Sequence, residues 1–201
     1  MKRIAIAIVV TVVIILTMVA CVGYQEYARE QTPQDQAIEQ PGIERIEEQK
    51  KEDKQEGNFG VYPGDKAFDF QLRDLEGNLV KLSDYRGKVV VLNFWQSTCK
   101  WCRKELPILD QLYETYKDGD LVVLAINVGE SQDVVSKVIE QEGFLFPVVL
   151  DSNMEVAKRY LISGLPTSFI ITRKGIISAT HIGYMEYGQM ENYVNTAFRK
   201  E

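Results

Sequence analysis

The stretch Asn93-Phe94-Trp95-Gln96-Ser97-Thr98-Cys99-Lys100-Trp101-Cys102 decides how this chain is read. It closes the apolar run Lys88–Trp95 and leads into a helical pattern over Arg103–Tyr116. A run rich in Val and Leu, without polar alternation, marks a strand buried on both faces. Two cysteines at i and i+3 on the first turn of a helix can reach each other to form a disulfide. The first sits where unpaired backbone N–H groups and the positive helix end stabilise a thiolate. A lowered pKa makes Cys99 the exposed nucleophile and leaving group, and Lys100 adds local positive charge. Cys102, one turn in, reads as the more buried, resolving thiol. Two other readings of the pair fit the sequence less well. A structural zinc needs four ligands, and beyond the pair this region offers only His181, far away in sequence. A structural disulfide across so short a loop constrains the unfolded chain very little.

Working outward, Leu121–Val128 and Phe146–Leu150 read as further buried strands. Ser168–Thr172 and Ile176–Ile182 read as two strands joined around Lys174-Gly175, with His181 as an ordinary strand residue. Helices are expected at Arg103–Tyr116, Ser131–Glu142, Asn153–Leu161 and Tyr187–Phe198, with Ser131 and Asn153 as N-caps. Ala67–Leu72 and Leu79–Leu82 flank Glu76-Gly77-Asn78, which predicts an N-terminal hairpin. Strand-helix alternation followed by a hairpin and a final helix implies an α/β sheet covered on both faces.

Charge and hydropathy divide the 201 residues into three segments. Ile4–Val22 carries no charge, and only Thr11 and Thr17 among its residues are not apolar. Lys2 and Arg3 precede it. A helix over Ile4–Tyr24 covers about 30 Å, enough to cross a hydrocarbon core. The basic pair predicts a cytoplasmic N-terminus and an exported remainder. Residues 1–24 are therefore read as a membrane anchor, either an uncleaved signal anchor or, at Met18-Val19-Ala20-Cys21, a signal of lipoprotein type that lipidates Cys21. The apolar stretch is longer than that of a usual cleaved signal peptide. Residues 25–58 hold ten acids, five bases, seven glutamines and six apolar residues, the composition of a flexible acidic stalk. Residues 59–201 are the folded domain. Of the net charge of −6, the stalk carries −5, the anchor +2 and the domain −3. An acidic chain with no Lys/Arg cluster is not a phosphate-tracking nucleic-acid binder. A single histidine argues against multi-histidine metal sites and Ser-His-Asp hydrolysis.

Several motifs over Val61–Lys200 occur in a recognisable order. They are Lys81-Leu82-Ser83-Asp84-Tyr85-Arg86-Gly87-Lys88, Asn93-Phe94-Trp95, Cys99-Lys100-Trp101-Cys102-Arg103-Lys104-Glu105-Leu106-Pro107 and Gly164-Leu165-Pro166-Thr167-Ser168-Phe169. The set resembles the membrane-anchored TlpA/ResA/CcmG-like thiol-disulfide oxidoreductases. The resemblance implies a thioredoxin-like α/β fold: a central mixed sheet, helices on both faces and an N-terminal β-hairpin extension. It implies a redox-active disulfide between Cys99 and Cys102, and a carboxylate, Glu105, that helps move a proton. It also implies that Pro166 is cis, with Leu165, Pro166 and Thr167 forming a substrate-binding loop. Pro107 is expected to kink the first helix. Asn93 stands where cytoplasmic thioredoxins carry a buried Asp, so the proton-accepting role falls to Glu105 or water. Thr98 and Trp101 depart from the family's usual Trp and Pro, and Trp101 is read as an apolar contact for a partner.

The function expected is disulfide exchange with oxidised exported proteins, by family resemblance apocytochrome c among them. A membrane electron donor regenerates the dithiol, and no metal or organic cofactor is needed. A peroxiredoxin-like peroxidase asks for Thr three and Pro seven residues before its cysteine. Gln96 and Leu92 stand there before Cys99, and Cys99 and Trp95 before Cys102. A non-catalytic tethered binding module is the remaining alternative; it has no need of a reactive cysteine pair.

Overall fold

The apolar run ahead of the cysteines becomes a central strand of a seven-stranded sheet. The computed structural model describes residues 58–116 and 119–200, all within one compact unit, Asp53–Glu201. The expected anchor, and the expected stalk apart from Asn58, lie outside the described residues. In chain order the elements are β1 (Phe59–Gly60), β2 (Lys66–Ala67), β3 (Gln71–Asp74), β4 (Leu79–Lys81) and a 3₁₀ turn (Leu82–Tyr85). Then come β5 (Val89–Trp95), α1 (Lys100–Tyr116), β6 (Leu121–Val128), α2 (Gln132–Glu142) and β7 (Val148–Asp151). Last are α3 (Glu155–Arg159), β8 (Thr167–Ile171), β9 (Ile177–Ile182) and α4 (Tyr187–Arg199).

The order across the main sheet is β4-β3-β7-β6-β5-β8-β9. Strands β5, β6 and β7 run parallel, while β3, β4, β8 and β9 pair antiparallel on the two flanks. This is the mixed sheet expected, and the predicted hairpin is its β3–β4 flank. Its first arm lies closer to the turn than the sequence pattern placed it, while the second begins at Leu79 as expected. Asp74 explains the tightening: its carboxylate accepts from the backbone N–H groups of Glu76 and Asn78 and from Asn78 Nδ2. Leu82, expected in the second arm, is instead buried as the first residue of the 3₁₀ turn.

Alternation along β5 sorts side chains between two cores. Val89, Val91 and Trp95 face a cluster with α1, α2 and α4, through Leu106, Leu109, Leu112, Val135, Met190 and Val194. Val90, Leu92 and Phe94 face the other, formed with α3, Tyr160 and the N-terminal segment. Helices α1 and α2 share a face because both connect neighbouring parallel strands in the same direction, and such crossovers are right-handed. Helix α1 runs through Pro107, which is exposed; a proline at that position costs one internal hydrogen bond and does not end the helix.

The N-cap expectations divide. Ser131 is the N-cap of α2, although its side chain makes no capping bond. Asn153 is not the cap of α3. Met154 occupies that position in the left-handed region, and the carboxylate of buried Asp151 accepts from Val156 N–H (3.2 Å) and Ala157 N–H (2.7 Å). The N-terminal segment lies along the outer strand β9. Gly64 N–H donates to Ile177 O, Ile177 N–H to Asp65 O and Thr180 Oγ1 to Val61 O.

Asp151 anchors α3 through bonds to a buried charged acceptor, a kind that contributes about 1.5–3 kcal/mol each. Asp151→Ala is expected to lower stability by about 2 kcal/mol. A urea titration should show a lower midpoint at unchanged slope; an unmoved midpoint would show that α3 needs no such anchor.

Candidate active site

Strand β5 delivers the chain to its C-terminal edge, and Cys99 follows four residues after Trp95. Cys99 immediately precedes α1 and Cys102 lies in its first turn. The two sulfurs are joined, at S–S 2.19 Å and Cα–Cα 5.2 Å, so the structure is that of the oxidised protein. Cys99 is half-buried and Cys102 is 1% exposed. The Cys102 N–H donates to Cys99 Sγ at 3.1 Å. An N–H aimed at Sγ, together with the helix N-terminus, stabilises negative charge on that sulfur once the bond is reduced. Only Cys99 is open to a partner, as the spacing implied.

Glu105 lies one turn beyond Cys102, is 1% exposed, and faces the sheet. Its Oε2 accepts from Asn93 Nδ2 at 2.8 Å, and its Oε1 from the Met185 backbone N–H at 2.7 Å. Asn93 Nδ2 also donates to Ser168 Oγ at 2.9 Å. Three parts of the fold therefore meet at one carboxyl, α1, β5 and the loop before α4, and β8 joins them through Asn93. Burial raises the Glu105 pKa from 4.5 to about 7, against the two hydrogen bonds, which lower it. A carboxyl poised there can gain or lose a proton at neutral pH, as moving protons between thiols requires. Asn93 carries no charge; it holds the group that does.

The Leu165–Pro166 peptide is cis. Since β8 runs antiparallel to β5, with Phe94 opposite Thr167, the 163–166 loop lies at the same end of the sheet as Cys99. The Pro166 carbonyl is taken by Gly183 N–H at 2.8 Å. The backbone groups of Leu165 have no hydrogen-bond partner among the described residues. Thr167 is buried and its hydroxyl donates to Gly164 O at 2.7 Å. That residue shapes the loop rather than presenting a side chain outward. Trp101 is 53% exposed beside the disulfide.

Glu130 and Tyr184 are part of the site that the sequence reading missed. The Glu130 carboxylate accepts from Ser97 N–H (2.8 Å), Ser97 Oγ (2.5 Å) and Asn127 Nδ2 (2.6 Å). It thereby ties down the loop two residues before Cys99, while Gln96 Nε2 donates to Val128 O. Gly129, at φ 74°, turns the chain from β6 into this position. The available signal was a carboxylate just past the C-terminal end of a buried parallel strand, where α/β sites gather. For Tyr184, on a loop after an edge strand, the sequence held no comparable signal.

Comparison with known proteins accords with this geometry. Residues 63–180 match the AhpC/TSA family. Over 136 residues the chain is 40% identical to the thiol-disulfide oxidoreductase ResA of Geobacillus kaustophilus (strain HTA426), covering 68% of this chain and 78% of that protein. The chain belongs to the ResA-like thiol-disulfide oxidoreductases of the AhpC/TSA family. The solved structure of a putative thiol:disulfide interchange protein DsbE from Chlorobium tepidum aligns at TM-score 0.65 and 34% identity, over 69% of this chain and 99% of that one. StoA from Bacillus subtilis aligns at TM-score 0.57 and 33% identity, over 65% and 98%. The thioredoxin-like fold and the thiol-disulfide oxidoreductase activity are thus those of a ResA-like enzyme.

The raised Glu105 pKa has a definite consequence for stability. Between pH 4.5 and about 7 the folded enzyme keeps a proton that the unfolded chain releases. This contribution therefore falls as pH rises through that window, and a cost of about 3 kcal/mol is fully present above it. Glu105→Gln removes the titration. Relative to the natural chain, its unfolding free energy should improve by about 2.5 kcal/mol between pH 5 and pH 8. A flat difference across that range would sink the assignment of the raised pKa to Glu105.

Proposed function

We propose that this ResA-like enzyme is an extracytoplasmic, membrane-tethered oxidoreductase that exchanges disulfides with exported proteins, including apocytochrome c. The observation that carries the chemistry is the Cys99–Cys102 disulfide, with only its first sulfur accessible and a near-neutral carboxyl one turn behind it. The export reading rests on the uncharged stretch Ile4–Val22 after Lys2 and Arg3. The apocytochrome reading rests on the family motifs.

In the reducing direction, the Cys99 thiolate attacks one sulfur of a partner disulfide and expels the other as a thiolate. The mixed disulfide is then attacked by the Cys102 thiolate at Cys99 Sγ, which releases the second partner sulfur. Two electrons pass to the partner, which takes up two protons. Glu105 is placed to accept the proton that Cys102 gives up. The enzyme ends as the disulfide observed, and a membrane dithiol donor returns it to the reduced state by the same exchange in reverse.

Cys102→Ser stops the sequence at the mixed disulfide. In cells it should accumulate covalent adducts through Cys99 that dithiothreitol releases, with exported proteins carrying cysteine pairs among the clients identified. Adducts confined to cytoplasmic proteins would rule out the proposed compartment. Cys99→Ala is expected to lower disulfide-reducing turnover at least about 1000-fold, because the remaining sulfur is buried. Retention of full activity would refute the assignment of the attacking thiol.

A further inference from the structure

Beside Cys99 the surface carries an aromatic pair wrapped by two lysines. Trp101, between the cysteines, packs on Tyr184 with ring centroids 5.9 Å apart and tilted by 40°. Lys104 Nζ lies 4.1 Å from the Tyr184 ring centroid and 5.6 Å from that of Trp101. Lys100 Nζ lies 5.9 Å from the Trp101 centroid. All three distances are within the range of cation–π attraction. Neither lysine forms an ion pair among the described residues, whereas Arg103, between them in sequence, is paired with Glu142.

Beyond the positive charge that Lys100 brings near Cys99, this arrangement is not needed for the proton or electron movements at the disulfide. Cys99 is stabilised by the Cys102 N–H and the helix end, and Glu105 is held from the buried side. A half-exposed tryptophan stacked on a second ring has the character of an interface anchor, a role in which Trp and Tyr are enriched. Here the anchor is ringed by uncompensated positive charge. Tyr184 also precedes Met185, whose N–H holds Glu105, so the platform is fixed to the site itself.

We infer that Trp101, Tyr184, Lys100 and Lys104 form a specificity platform for a partner polypeptide bearing an apolar or aromatic side chain and a carboxylate next to its reactive cysteine. The inference rests on the disulfide-exchange reading and names the client chemistry that this site favours. The apolar group seats on the Trp101–Tyr184 surface. The partner carboxylate supplies the missing charge for Lys100 and Lys104, which raises the encounter rate and aligns the scissile disulfide over Cys99. A lipid surface also suits aromatic and basic groups. The peptide is favoured because half of the platform lies between the two reacting cysteines.

The test uses the reduced full-length protein and two cyclic disulfide peptides with the same apolar residue. One carries two Glu beside its cysteines, the other two Lys. Rates are followed as the change in protein fluorescence on oxidation, with uncharged hydroxyethyl disulfide as the reference for each variant. At low ionic strength the acidic peptide is expected to react at least about tenfold faster than the basic one, with the gap closing as salt is added. Lys104→Glu, outside the cysteine pair, should bring the ratio to about one or reverse it. Because the ratio is taken within each variant, a change in Cys99 reactivity cancels. Trp101→Ala should slow both peptides relative to hydroxyethyl disulfide. Equal rates for the two peptides in the natural chain, with hydroxyethyl disulfide still reduced, overturn the platform and leave disulfide exchange standing. Failure to reduce any disulfide overturns the underlying reading as well. If anionic vesicles with no peptide shift Trp101 fluorescence while the peptide ratio stays at one, the platform is a lipid contact and the inference is wrong.

Discussion

The constraint on which the site depends is a buried carboxyl. Glu105 lies between α1 and the sheet, in contact with a side chain of β5 and a backbone amide of the loop before α4. Burying an ionisable group without partners is too costly to persist, so the surrounding chain must supply donors. Asn93 and Met185 do so, and Ser168 holds Asn93. These same bonds set the register between the helix that carries the cysteines and the strands beneath it. Placing an acid where proton transfer can occur and holding the helix over the sheet are thus one arrangement. Two hydrogen bonds leave the acid only partly compensated, which is how it stays near neutrality.

Glu130 provides the complementary restraint from the solvent side. The residues between β5 and α1 form no strand or helix, and Glu130 grips them at Ser97 while Gln96 holds on to Val128 O. One carboxylate behind the helix and one in front of the loop leave Cys99 a narrow range of positions. Reactivity is therefore shaped by two acids of opposite situation, one buried and poised to titrate, one half-buried and fully engaged as an acceptor.

Much of this could be read from sequence because the relevant signals are local. The buried strand Lys88–Trp95, the i,i+3 cysteines and the Glu105 position on the same helix are properties of a single continuous stretch. The order of helices and strands followed from patterning. What could not be read came from the choice of partner made by individual side chains, most of them close in sequence and one, Tyr184, far away. Asp151 displaces Asn153 as the anchor of α3 because a strand end happens to face that helix. The first arm of the hairpin shifts because one Asp74 carboxylate gathers three donors. Tyr184 joins Trp101 across more than eighty residues. Thr167 looked like a contact residue from its place after the proline, but the fold turns its hydroxyl onto Gly164. Pattern shows which segments are buried, whereas side chain to backbone bonds decide where they end.

The course of residues 59–67 along β9 matters beyond the fold. An outermost strand offers unpaired amides and carbonyls to any other extended chain, including another copy of the same protein. Here Asp65 and Gly64 occupy the exposed groups of Ile177, and Val61 accepts from Thr180. The N-terminal segment thus guards the Ile177 stretch of that edge against strand addition by a second copy of the protein.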